Sequence, residues 1–150
     1  MKNNKIIHVI GRALIFDNEH ILLAREINSA NTFLPGGHVE YNEGIANAIK
    51  RELLEEFDGI VEIGDFIGII ENSFICDGEP YYEINLLFSA KPLNFSFPRN
   101  PKSNEDYLEF FWHPVETLES ANILPPPVIE FARKCLNKTT TANFASVLEK

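Results

Sequence analysis

Two spacings of apolar residues run along this chain, one suited to strands and one to a helix. Ile6 to Phe16 is rich in β-branched and apolar residues, the polar stretch Asp17-Asn18-Glu19-His20 interrupts it, and Ile21 to Ala24 resumes it. That pattern predicts a hairpin. Phe33-Leu34 then meets Pro35-Gly36-Gly37, where two glycines admit backbone shapes closed to other residues and end any regular element. From Glu43 to Phe57 the spacing changes: there is no proline, and Ala46, Ile49, Leu53 and Phe57 recur at helical intervals. A helix is predicted there, with Asn42 as its N-cap and Gly59 as its C-terminal stop. Val61 to Ile70 and Tyr81 to Phe88 predict a second, longer hairpin about the turn-rich segment Cys76 to Pro80. Lys91 to Asp106, rich in Pro, Asn and Ser, predicts a long functional or mobile surface loop, and Tyr107 to Trp112 another strand. Pro125-Pro126-Pro127 opens a final amphipathic helix, Val128 to Leu136, and Asn137 onward is a tail expected to fray. No repeat or linker divides the chain, so residues 1–150 read as one domain, α/β or α+β in class on this pattern alone.

A length of 150 residues suffices to bury one core without disulfides. Hydrophobic residues are 45% and charged residues 23%, which excludes the apolar-poor composition of a disordered chain. The net charge of −9 changes the picture more. It disfavours nonspecific binding to nucleic acid or to an anionic membrane, since both require a positive surface. A phosphate-bearing partner would then need divalent cations between two negative bodies. Cys76 and Cys135 lack the spacing of a zinc or redox pair and read as reduced thiols. The polar start Met1 to Lys5 leads into Ile6 to Ile10, which Arg12 follows too soon for a signal peptide or membrane span, so a cytoplasmic location is expected.

Carboxylates on the predicted helix carry the candidate chemistry. With about 100° per residue, Glu56 falls about 40° to one side of Glu52 and Glu55 about 60° to the other, so three acids share one face beside the apolar stripe. Like charges at those spacings destabilise an isolated helix. A solvated acidic face is the ordinary outcome for a Glu-rich helix, but bound cations would give the crowding a reason. Hard oxygen ligands suit Mg²⁺, with Mn²⁺ as a substitute, and such an ion both neutralises phosphate and lowers the pKa of a bound water. Gly36-Gly37 would let main-chain carbonyl groups approach the same ions.

The whole segment is more specific than any of its parts. Gly37, five residues, Glu43, seven residues, then Arg51-Glu52-Leu53-Leu54-Glu55-Glu56 resembles the Nudix box, G-x5-E-x7-R-E-U-x-E-E-x-G-U with U apolar. Phe33 to Glu40 and Phe111-Trp112-His113-Pro114 also look like Nudix domains, extending the resemblance over about Ile7 to Leu124. One departure stands at the helix exit, where Asp58-Gly59-Ile60 replaces Gly and an apolar residue as if one residue were inserted. The resemblance implies an α/β fold, an α/β/α sandwich around a mixed β-sheet, with the box as a loop, helix and loop that hold metals. It implies Glu52, Glu55 and Glu56 as metal ligands and the Gly37 carbonyl as another, with Arg51 orienting the glutamates and pairing with Glu43. Glu52 is then the first choice of general base, and a glutamate from a later loop its rival.

Other residues are weighed for the substrate. Arg25, just after Ile21 to Ala24, could hold a phosphate bidentately or be a plain strand-end arginine. Glu105 lies beyond the long loop, which could swing it inward; for it and for Glu109 a surface carboxylate is the simpler reading. If alternation puts Tyr82, Ile84 and Leu86 on the core face, Glu83 faces solvent or the cleft. His38 reads as a solvated loop histidine, and Trp112 as core. Phe74, Tyr81, Tyr82 and Phe97 read as core aromatics, with base stacking as the alternative.

The expected activity is metal-dependent hydrolysis of a diphosphate linkage in a nucleoside diphosphate joined to a moiety X, with a nucleoside triphosphate or nucleotide sugar favoured. One alternative is a nucleotide-sensing module of the same fold without turnover, against which the full glutamate set argues. Another is a structural domain with an acidic helix. The expected partner is a small nucleotide-like molecule rather than nucleic acid or membrane, and a homodimer formed through the apolar hairpins is the expected assembly.

Overall fold

The structure is a computed structural model, and it describes residues 5–138 and 142–148. Strands β1 (Ile7–Asp17) and β2 (His20–Glu26) form the first hairpin, and β3 (Gly36–His38) leads to α1 (Ile45–Phe57). Then come β4 (Val61–Cys76), β5 (Glu79–Pro92), β6 (Leu108–Pro114), a 3₁₀ segment (Val115–Ala121), α2 (Val128–Leu136) and β7 (Asn143–Ser146). The strands lie in the order β6-β2-β1-β5-β4-β7, with β3 paired to β1 off that path. Because β1 runs parallel to β5 but antiparallel to β2 and β3, the sheet is mixed.

Alternation along β1 divides the core in two. Ala13 and Ile15 join a cluster with Ile49, Leu53 and Phe57 of α1, while Leu14 joins one with Val128, Phe131 and Ala132 of α2. Successive strand residues point to opposite faces, so a strand covered on both sides reads as an unbroken apolar run. The expected α/β sandwich follows, with a helix against each face of a mixed sheet. Both hairpin turns have two residues in left-handed backbone: Asn18 and Glu19 at φ 46° and 58°, and Asp77 and Gly78 at φ 51° and 82°. That twist matches the twist of the strands it joins.

The ends of α1 differ from the sequence expectation. It starts at Ile45 with Gly44 as N-cap, and Asn42 sits one turn earlier in left-handed backbone at φ 62°. Ala48 rather than Ala46 completes the buried stripe with Ile49, Leu53 and Phe57. At the exit, Asp58 turns left-handed at φ 57°, and the N–H groups of Asp58 and Gly59 close back on the Leu54 and Leu53 carbonyls. Aspartate tolerates this conformation better than most residues, so Asp58 occupies the position where the box has glycine and nothing is inserted. Gly59 is required next, because a Cβ there would overlap the Phe57 ring.

Two other segments are tied down. Residues 93–107 form no regular element, yet Asp17 accepts from the Phe97 N–H (3.0 Å), the Arg99 carbonyl accepts from Trp112 Nε1 (3.0 Å), and Phe95 packs against Phe57. These anchors make it a pinned loop rather than a mobile one. In the tail, Asn143–Ser146 pairs in parallel with Gly68–Glu71 of β4, which corrects the expectation of fraying for those residues. The open edge of β4 supplies the missing hydrogen-bond partners. Residues 139–141, 149 and 150 lie outside the described ones. Among the described residues no helix is long and apolar enough to cross a membrane.

Candidate active site

Arg51 ties the β3 loop to α1. Its Nε and Nη2 donate to the two Glu43 oxygens (2.7 and 3.0 Å). Its Nη1 donates to Glu52 (3.1 Å) and Glu55 (3.4 Å), and Nη2 also to the His38 carbonyl (3.0 Å). A planar guanidinium fork matches a carboxylate in this bidentate way. Glu43 accepts in addition from the Glu40 N–H (3.0 Å), so one cation fixes the loop against the helix. The bonds with Glu43 raise the Arg51 pKa above its ordinary value, and the same bonds lower that of Glu43.

Gly37 brings bare backbone up to an acid. A Cβ there would overlap the carboxyl group of Glu52. Gly37→Ala is therefore expected to displace that carboxylate and leave the fold intact, since the obstructing atoms end a flexible side chain. A misplacement of about 1 Å costs about 10²-fold in rate when the displaced group positions the chemistry. Steady-state kinetics beside a thermal melt checks this; a collapse of both together would make Gly37 a structural residue instead.

Glu52 and Glu56 line one cleft together with Gly37. Burial raises the Glu56 pKa to about 8, Glu52, Glu105 and Glu55 add to the shift, and Arg12 opposes it. At Glu56, burial and the neighbouring acids outweigh the one arginine that opposes them. The Glu55 side chain, by contrast, is 57% exposed and leans toward Arg51. Among the described residues no three acids, histidines or cysteines stand ready to coordinate one ion. The helix sets the spacing of the Cβ atoms but not the torsions beyond them, so two of the three expected acids enter the cleft and the third stands at its outer side. Glu52, Glu56 and the Gly37 carbonyl offer hard oxygens, and neither cysteine lines the cleft, which suits Mg²⁺ or Mn²⁺ rather than a thiophilic metal.

The NUDIX domain model matches residues 8–137 of this chain. The chain belongs to the NUDIX family. Membership makes it a hydrolase, in a family that acts on small nucleotide-like molecules and generally uses a divalent metal. No curated protein matches it in sequence. Among solved structures it is similar to a NUDIX hydrolase from Nitrosomonas europaea, with 20% identity and a TM-score of 0.68 over 91% of this chain and 93% of that one. A MutT protein from Methanosarcina mazei Go1 aligns at 22% identity and a TM-score of 0.67, covering 92% and 99%. An ADP-ribose pyrophosphatase from Streptococcus suis aligns at 17% and 0.60, covering 93% and 98%. At these identities the likeness is one of fold.

The NUDIX cleft has a volume of about 860 Å³ and extends from Glu52 and Glu56 across β3 to a sheet face bearing Arg12, Glu83 and Asn85. On β5, Glu83, Asn85 and Leu87 are the buried set and Tyr82, Ile84 and Leu86 are half-buried on the opposite face, so the core face is the other one, and of the two directions open to Glu83 it takes the cleft. Arg25 does not reach this NUDIX site. It pairs across β2 and β6 with Glu109 (2.6 Å) and lies over the Phe111 ring, which satisfies its charge away from the cleft. Glu105 comes close enough to Glu56 to raise its pKa, because the neighbouring Asn104 docks on the helix end: its backbone N–H and its Nδ2 donate to the Glu56 and Glu55 carbonyls (2.7 and 3.1 Å). His38 accepts or donates at the Tyr81 hydroxyl (3.1 Å) and lines the cleft.

Arg12, Asn72 and Asn85 escaped the reading of the sequence. Arg12 Nη1 donates to the Leu34 carbonyl (2.9 Å), its guanidinium faces the Phe33 ring, and desolvation lowers its pKa against the pull of Glu83, Glu56 and Glu52. The available signal was a pair of polar residues at alternate positions, Glu83 and Asn85, inside an otherwise apolar strand.

Proposed function

We propose that this NUDIX protein hydrolyses a diphosphate linkage in a nucleoside diphosphate joined to a moiety X, using Mg²⁺ or, in its place, Mn²⁺. A nucleoside triphosphate or a nucleotide sugar is the favoured substrate. The observation that carries this reading is the Arg51 clamp: it seats the Glu52 carboxylate on Gly37, beside the desolvated Glu56, at one end of a cleft of nucleotide size. Glu52, Glu56 and the Gly37 carbonyl would hold the ion, with Glu55 joining by rotation of its exposed side chain. The bound ion supplies charge neutralisation and an acidified water. Glu52 is the general base in this reading, and Glu105 its rival. Arg51 and Glu43 are positioning residues, since they act through the acids they orient.

A cytoplasmic homodimer acting on a small soluble nucleotide completes the proposal. The net charge of −9 supports a small metal-bound substrate over nucleic acid. The test is phosphate or pyrophosphate release across nucleoside triphosphates, nucleotide sugars and dinucleoside polyphosphates, with Mg²⁺, Mn²⁺ or EDTA in parallel. Metal-dependent release from one class is expected. Nucleotide binding with no product under any metal would instead make the chain a sensor, and thermal stabilisation by neither metal nor nucleotide would leave only a structural domain.

A further inference from the structure

The proposed reaction leaves one buried acid unused. Glu83 is 6% exposed on the floor of the cleft. Asn72 Nδ2 and Asn85 Nδ2 both donate to the same oxygen, Oε1, at 3.1 and 3.0 Å. Asn85 is 1% exposed, and its Oδ1 accepts from Arg12 Nε at 3.4 Å, so the hydrogen-bonded path from Arg12 to Glu83 runs through that amide. Among the described residues no buried side-chain nitrogen or oxygen lacks a hydrogen-bond partner. Oε2 receives no hydrogen bond from any described residue and so is not sealed off, and Glu83 lines the cleft. A poorly solvated carboxylate oxygen is costly until a donor reaches it.

Strand register fixes what surrounds that oxygen. Asn72 is opposite Glu83, and one step along the same face Phe74 is opposite Tyr81. The Phe74 and Tyr81 rings stack at 4.8 Å and both line the cleft. Acceptors beside an aromatic wall suit a planar ligand that carries N–H groups on its edge.

We propose that Glu83 selects the base of the substrate, taking a nucleobase with a ring N–H and an amino group side by side, the edge that guanine presents. Adenine and cytosine set a ring-nitrogen lone pair next to their amino group, and uracil places its N–H between two carbonyl oxygens; each turns a lone pair toward the carboxylate. The inference rests on the nucleotide-hydrolase reading for the remainder of the substrate, but base recognition can be measured without turnover.

The test is calorimetric binding of GMP, IMP, AMP and UMP to the intact protein and to Glu83→Gln, with hydrolysis of the matching triphosphates measured in parallel. IMP lacks only the amino group of GMP. Wild type is expected to bind GMP about tenfold more tightly than IMP, and AMP and UMP more weakly still. In Glu83→Gln the gap between GMP and IMP should close to about twofold, with a melting temperature near wild type. Equal affinity for the four, no binding of GMP, or a guanine preference that survives in Glu83→Gln overturns the inference; the wild-type ranking decides it even if the variant does not fold. Hydrolysis that is blind to the base retires this inference alone, whereas guanine-selective binding without hydrolysis retires the hydrolase reading alone.

Discussion

Metal-free protein is expected to lose stability as the pH rises from about 5 to about 9, and Glu56→Gln is expected to remove most of that loss. The folded chain holds the Glu56 proton up to about pH 8, whereas the unfolded chain releases it near 4.5. Across that window folding takes up a proton, so each step upward in pH works against the fold; above it both states are ionised and the dependence flattens. The ceiling is about 5 kcal/mol at about 1.4 kcal/mol per pH unit, and relaxation around the side chain brings the expected loss to about 2 kcal/mol. Urea melts in chelator at three pH values, on wild type and Glu56→Gln, measure it; parallel slopes for the two would remove Glu56 as the cause. A divalent cation does for Glu56 what the proton does, so adding Mg²⁺ at high pH should restore stability to wild type and not to the variant. The same substitution should lower metal-dependent turnover by about 10³-fold or more, and full activity in it would sink the proposed metal role.

Arg51→Met should have the largest effect on the fold itself. The Arg51 side chain is 26% exposed and its partners Glu43 and Glu52 are 17% and 18% exposed, so the change leaves two partly buried acids facing each other with no cation between them. Discounted for the solvent that still reaches the cluster, the loss is about 2–3 kcal/mol, or about 5–10 °C in Tm for a chain of this size. Activity should fall by about 10²-fold as well, because the loop that carries Gly37 loses its bond through the His38 carbonyl. Arg51→Lys is the sharper comparison. A point charge cannot span both Glu43 oxygens and also reach Glu52, so lysine should recover part of the stability and little of the rate. Full rescue of both by lysine would show that charge alone, and not the fork, holds the site.

What the sequence disclosed and what it hid divide along a physical line. Glu52 and Glu56 were readable from helical spacing, and Gly37, Glu43 and Arg51 through the resemblance of the whole segment to the Nudix box; the structure brings the five together around a single arginine. The two hairpins were readable because their turn residues suit left-handed backbone. Asn72, Glu83 and Asn85 meet through the register of the β4–β5 hairpin and Arg12 joins them only through the pairing of the distant β1, and one-residue slips would turn each of them to the other face. The direction of Glu83 thus depended on pairing that no local pattern contains. Asp58 misled for a smaller reason: a conformation usually given to glycine was taken by a residue that also tolerates it. β7 had no local signature at all, being only Asn143–Ser146 laid along an edge that β4 leaves open.

The docking of Asn104 on the end of α1 sets a rule for chain length. The ribbon leaving β5 must travel to Asn104 and latch there before it can enter β6, and the latch holds the main chain of the two acids at the helix tip. Extra residues before Ser103 would bulge outward as slack and leave the latch seated. Missing ones would draw it taut and drag the tip of the helix with it. Variation in this stretch should therefore run toward longer ribbons far more readily than toward shorter ones.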